Sequence, residues 1–337
     1  MATVHRLSFT RLTAREQDDN QVRLNIVFVH GLRGHPRGTW EAAASASHSS
    51  SNTTKTSKGF RSLFKRQTAR ASVTDTENAH APSTPASSSL PSSTIFWPEE
   101  YLALDVPQAR VWTYGYNADV IGGLFQANNK NSISQHGQDL SVRLEREIGN
   151  RKPIAFVVHS LGGIIVKDAI RRSELIREQT KLIIFLGTPH RGSAYAGWGQ
   201  IASNLARIAL QDSNKKILET LEVNNEVLDN IHEEFMTIAF KGTMTIHSFQ
   251  EARGITGIKG VNEKVVDDFS SKLGLPRALE TVESIDANHM QIARYSSKGD
   301  QGYRAISGVL KAFVRQELEN QQIPPTSVAD VADVKCA

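Results

Sequence analysis

Ser160, His289 and an acid between them in chain order, Glu251 or Asp267, are the residue types that acyl transfer at a serine requires. A serine hydroxyl is a weak nucleophile at neutral pH, so it needs a base within hydrogen-bond reach. The base in turn needs a carboxylate to fix its tautomer and support the imidazolium. Stabilising the resulting oxyanion takes two backbone N–H groups, for which Leu161 and Leu32 are the candidates. Leu161 directly follows the serine. Leu32 lies in His30-Gly31-Leu32-Arg33-Gly34, where Gly31 is expected to adopt dihedrals that turn the Leu32 N–H inward. The same glycines also suit a plain strand-to-loop turn.

Such chemistry works only if the chain holds these residues rigidly. Ile154 to Val158 form an unbroken apolar run behind Pro153, as in a strand covered on both faces. Ile164, Ile165, Lys167, Asp168 and Ile170 then continue at helical spacing until beyond Ile176. Ser160 therefore falls on a strand-to-helix turn that presents its hydroxyl. The glycine expected two residues before the serine is Val158, whose bulk the fold must accommodate.

For the acid, Glu251 follows the strand ending His247-Ser248-Phe249-Gln250 and is preferred over Asp267, in a later loop. His289 stands after the last predicted strand and before the closing helix. Asp286 is expected to cap or position the loop bearing His289, while Asp268 and Glu263 read as solvated charges. His159 is expected to point to the opposite side of the elbow and pack, and His190 either to line the pocket or, preferably, to hydrogen-bond locally.

Strand and helix signals alternate along the body, which implies a mainly parallel sheet with helices on both faces. Strands are expected around Val4–Leu12 and over Leu24–His30, Arg110–Tyr116, Lys152–Ser160, Lys181–Gly187, Thr243–Phe249 and Leu279–Ile285. Helices are expected over Ser132–Ile148 and Tyr303–Leu318. A helical region from Trp198 to Phe240 carries Ile201, Leu205, Ile208, Leu218, Leu221, Leu228 and Ile231. These suit either a lid over an apolar pocket or ordinary packing. Domain organisation reads as one α/β domain over 1–322, with the lid-like region at about 194–240 and a flexible tail at 323–337.

Residues 42–94 are dominated by Ser, Thr, Ala and Pro and bury too little apolar surface to fold, so they read as a disordered insertion. Six cations against two acids in that insertion carry the whole net charge of +4, leaving the body neutral. A nucleic-acid partner is therefore not expected. The stretch Lys58 to Arg66 mixes cations with Phe60, Leu63 and Phe64; it suits either peripheral contact with an anionic membrane or a solvated loop. No metal-ligand spacing or phosphate-binding loop is present, so no cofactor and no metal are expected. The lone Cys336 forms no internal disulfide, and the apolar runs are too short to span a bilayer.

Five blocks occur together and in order: Val27 to Leu32 with a later Trp40, Thr113-Tyr114-Gly115-Tyr116, His159 to Gly163, Phe185 to Ser193, and Asn288-His289. This series resembles the lipase-like serine esterases of the α/β-hydrolase fold. That family includes the serine-active-site-containing protein, the GPI inositol-deacylase and the hydrolase domains of fungal NACHT-type receptors. The resemblance implies an acyl-ester hydrolase or acyltransferase acting on lipid-like substrates, with Ser160, His289 and the acid as its triad. It also implies an intracellular protein, cytoplasmic or peripheral to mitochondrial or endoplasmic-reticulum membranes. The fungal receptors raise a rival, a signalling or interaction module on a scaffold with little or no turnover.

Overall fold

Pleated alternation sorts the apolar side chains of the central strands onto two opposite faces, and a core forms on each. Val27, Val29, Phe156, Val158, Ile183 and Phe185 belong to one core; Ile26, Phe28, Ala155, Val157, Leu182 and Ile184 belong to the other. The structure, a computed structural model, describes residues 2–13, 21–44, 94–118, 133–191, 198, 201, 203–205, 225–255 and 264–322. The basic stretch 58–66, Glu263, and the tail with Cys336 lie outside these residues.

The strands are β1 (Ser8–Arg11), β2 (Leu24–Val29), β3 (Glu41–Ala43), β4 (Thr94–Phe96), β5 (Ala109–Gly115), β6 (Ile154–His159), β7 (Thr180–Leu186), β8 (Thr245–Glu251) and β9 (Glu280–Ile285). Seven of them form one sheet in the order β1-β5-β2-β6-β7-β8-β9. β1 runs antiparallel to β5, and every other neighbouring pair is parallel. From β2 the chain moves outward to β5, returns across β2 to β6, and then proceeds outward to β9. The order thus reverses between β2 and β6, where open parallel sheets place their sites beyond the carboxyl ends of the strands.

The main helices are α1 (Ile133–Glu147), α2 (Gly162–Arg172), α3 (Glu174–Gln179), α4 (Asn225–Ala239) and α5 (Gln301–Gln322). Residues of α1, α2 and α4 line the first core, and Tyr303, Ile306, Leu310, Phe313 and Val314 of α5 line the second. The predicted helix through Ile176 is interrupted at Ser173. This residue takes an extended conformation, and its hydroxyl accepts from the Ile176 N–H to cap α3. Of the residues suited to a lid, Ile201, Leu205, Leu228 and Ile231 are buried in the first core. Ile208, Leu218 and Leu221 lie outside the described residues.

Two features of the second core went unread in the sequence. Ala42, Ala43 and Thr94, counted within the insertion, belong to a ladder in which β3 and β4 pair antiparallel. A tight π-helical turn at Pro98–Leu102 then runs into Ala103–Asp105. Just before it, Trp97 sits edge-on to Phe28 and Trp40, and its indole N–H donates to the Ala293 carbonyl at 2.9 Å. Tyr101 donates to Ser296 O at 3.0 Å. The segment after the insertion therefore braces the chain that follows His289. Trp97→Ala is expected to lower unfolding free energy by about 3–5 kcal/mol in urea melts. Trp97→Phe, which keeps most of the ring, should cost distinctly less.

Candidate active site

The elbow at Ser160 carries backbone strain and is held by close packing. Ser160 has φ +54°, a conformation that side-chain-bearing residues seldom adopt. Its N–H donates to Leu186 O at 3.0 Å, and Thr188 Oγ1 donates to its carbonyl at 3.0 Å. α2 leaves the elbow pressed against the sheet. A Cβ on Gly162 would lie 2.4 Å from His30 O and 2.7 Å from Val29 O, and one on Gly163 would lie 2.4 Å from Thr188 Oγ1. The two glycines after the serine supply the clearance, so Val158 fits without one, fully buried between Val29 and Phe185 in the sheet.

Ser160 Oγ lies 3.0 Å from His289 Nε2, and His289 Nδ1 lies 3.4 Å from Glu251 Oε1. A carboxylate only accepts, so the ring proton sits on Nδ1 and leaves Nε2 to accept from the hydroxyl. All three side chains are buried: Ser160 is 2% exposed, His289 1% and Glu251 0%. Glu251 is the last residue of β8 rather than the first of the following loop. Its Oε1 also accepts from the Val266 N–H at 2.8 Å, while Oε2 has no partner among the described residues. The acid is thus anchored more tightly to the main chain than to the imidazole.

Asp267 points its hydrogen bonds elsewhere. Its carboxylate accepts from the N–H groups of Phe269 and Ser270 and from the Ser270 hydroxyl, each at 2.9 Å, and so closes its own turn. Asp268 pairs with Lys264 at 2.6 Å. Asp286 does not cap the His289 loop, because both of its oxygens bind the exposed Arg253 guanidinium. The loop cap is Asn288, whose Oδ1 accepts from Met290 N at 3.1 Å and Gln291 N at 3.0 Å.

Beside the serine runs the loop after β2. A Cβ on Gly31 would lie 2.6 Å from Ser160 Cβ and 3.2 Å from its Oγ. Gly31 is therefore required by close approach and not by its dihedrals; the positive φ in this loop belongs to Arg33, at +47°. Among the described residues, neither the Leu32 N–H nor the Leu161 N–H is engaged by another group. His30 fixes the loop from below. Its Nδ1 faces Gly31 O at 3.0 Å, and its ring stacks on Tyr116 at 4.3 Å, whose hydroxyl donates to His30 O at 2.9 Å.

Two histidines differ from expectation. The His159 ring does not simply pack on the far side of the elbow: its Nε2 lies 2.8 Å from the His289 carbonyl. His190 makes no side-chain hydrogen bond among the described residues, and its ring packs edge-on against Phe185. The signal that could have found these contacts is a buried position next to a functional residue, which chain order alone does not reveal.

This strand order, together with a sharp serine-bearing turn directly after β6 and a histidine after the last strand, defines an α/β-hydrolase fold. No protein-family model matches the chain. Over 306 residues the chain is 22% identical to Protein SERAC1 of Bos taurus, covering 89% of this chain and 40% of that protein. It is 23% identical to Protein SERAC1 of Homo sapiens over 234 residues, covering 67% of this chain and 34% of that protein. The chain thus spans well under half the length of the curated relatives it matches. Among solved structures, it is similar to the mature lipase BlEst2 of Bacillus licheniformis at 15% identity and TM-score 0.47, covering 91% of this chain and 97% of that one. A lipase-esterase related protein of Clostridium acetobutylicum gives 9% identity and TM-score 0.44, covering 92% of this chain and 100% of that one. The fold assignment rests on the strand order and the elbow. No helix among the described residues is long and apolar enough to cross a membrane.

Burial holds several histidines neutral. It pulls His30 down to about 4 and, with His289 beside it, His159 down to about 3; burial also takes His232 to about 3. The unfolded chain takes up these protons near pH 6.5, whereas the folded chain resists them until about pH 3 to 4. More protons are bound unfolded across that window, so stability must fall as pH drops through it. Lys167, buried and held to about 7, acts the same way at higher pH, favouring folding as pH rises from about 7. Urea midpoints measured from pH 8 to pH 4 are expected to fall steadily below pH 6.5. His30→Gln should flatten part of that slope.

Proposed function

We propose that the chain is a serine hydrolase of carboxylic esters. The observation that carries the proposal is the 3.0 Å approach of Ser160 Oγ to His289 Nε2, with the other ring nitrogen turned to a buried carboxylate. In this reading Ser160 Oγ attacks the ester carbonyl as its proton passes to His289 Nε2, forming a tetrahedral oxyanion beside Leu32 and Leu161. Collapse expels the alcohol, which takes the proton from His289, and leaves an acyl group on Ser160. Water, or a second alcohol in an acyltransferase, then repeats the sequence with His289 as base and releases the acyl group. Glu251 keeps the ring proton on Nδ1 and offsets the charge of the imidazolium.

The substrate proposed is an acyl-lipid ester. It is supported by Met290, which directly follows the base in the chain and leaves an apolar side chain 38% exposed. The strained φ of Ser160 further supports catalysis, because such a conformation needs surrounding structure to enforce it.

Two measurements test the reading. A fluorophosphonate probe should label the wild-type protein at Ser160 and fail on Ser160→Ala; a folded wild-type protein that is not labelled would make it an inert scaffold. On p-nitrophenyl butyrate, Glu251→Gln is expected to lower kcat by about 10³–10⁴-fold, because the amide favours the wrong imidazole tautomer. Asp267→Asn should leave kcat within about threefold of wild type, since its carboxylate serves only its own turn.

A further inference from the structure

The last residue of β6, immediately before the serine, reaches the main chain of the base. His159 Nε2 lies 2.8 Å from His289 O. A carbonyl only accepts, so the proton on this imidazole sits on Nε2 and the contact is an N–H···O bond. The ring is 5% exposed, sits edge-on to Trp40 at 6.5 Å and lies 5.0 Å from the His289 ring.

We infer that His159 is a positioning residue that fixes the base by gripping its backbone, an inference that rests on the esterase reading above. β6 then holds His289 at both ends. Ser160 meets the imidazole Nε2, and His159 meets the carbonyl of the same residue, so the end of β6 and the turn directly after it set the distance between nucleophile and base. The loop's other ties run elsewhere: Asn288 Oδ1 accepts from Met290 and Gln291, Arg253 N donates to Ala287 O at 3.1 Å, and Trp97 holds Ala293 O at 2.9 Å. None of those bonds spans from the loop to β6. Without the His159 donor, the His289 carbonyl loses its partner and the backbone of the base loses its tie to the end of β6, which alone among the bonds of the described residues fixes it relative to Ser160. Misplacement by about 1 Å is enough to cost about a hundredfold in rate.

The charge state of His159 matters to the same end. A second imidazolium 5.0 Å from His289 would oppose the positive charge that the base acquires when it accepts the serine proton. Burial, the neighbouring His289, Arg294 and His30 all hold His159 in its neutral form, so it donates a hydrogen bond without contributing charge.

Three variants of the full chain separate this role from simple packing. Gln places an amide N–H where Nε2 stands, Asn places one nearer Nδ1, and Phe fills the ring volume with no donor. On p-nitrophenyl butyrate, His159→Phe and His159→Asn are expected to lower kcat about tenfold to a hundredfold with KM within about twofold, and His159→Gln to recover most of the loss. Rates of fluorophosphonate labelling should follow the same order, with thermal melts recording the folded fraction. Wild-type kcat in His159→Phe, or equal rates for the Gln and Asn variants, would overturn the inference. Should His159→Phe fail to fold, the Gln and Asn pair decides it alone. Failure of the esterase reading would look different, since the wild-type protein itself would then resist the probe.

Discussion

The clearance between α2 and the carbonyl ends of β2 is the constraint on which the site depends. Gly162 passes so close to Val29 O and His30 O that no side chain fits between them. That approach accompanies the left-handed φ of Ser160, and Gly31, in the loop after the neighbouring strand, lies against the serine as well. One contact between a helix start and a strand end therefore lies where Ser160 and the loop beside it meet. Burial of the whole of β6, every residue of it inside the sheet, makes the arrangement rigid.

His289 reaches this centre from far along the chain and is held by bracing from several directions. Gly187, with φ +55°, lets the end of β7 pass beside the His289 ring, where an added Cβ would lie 3.2 Å from Nδ1. Trp97 and Tyr101 bond the chain just beyond the base, and Glu251 is steadied by the Val266 N–H. The polar contacts of the site are thus mostly from side chain to backbone. Such bonds position groups without adding net charge to a dry interior.

Much of this was legible in the sequence because period and chain order are strong signals. The apolar run ending at Val158, the helix pattern after Gly163 and the order serine, acid, histidine sufficed to nominate the residues that the fold brings together. The choice of Glu251 over Asp267 followed from proximity to a strand end, although the strand in fact includes Glu251. Contacts that depend on where a ring points could not be read. His159, His190 and Asp286 were each assigned by sequence neighbourhood, and each makes a different contact because tertiary packing decides side-chain direction. The role of Gly31 was misread for a related reason: sequence marks a glycine without telling close approach from a left-handed turn. The Pro98–Asp105 turn was missed because it is short and lacks a full helical period.

The β3–β4 ladder closes a circuit whose two ends meet side by side, Ala43 opposite Thr94. Because these two points are clamped together, the ladder fixes their separation whatever the length of chain between them. Lengthening a flexible loop costs only about 0.6 kcal/mol per doubling. Chain length between the two points thus costs little to vary while β3 and β4 keep their register.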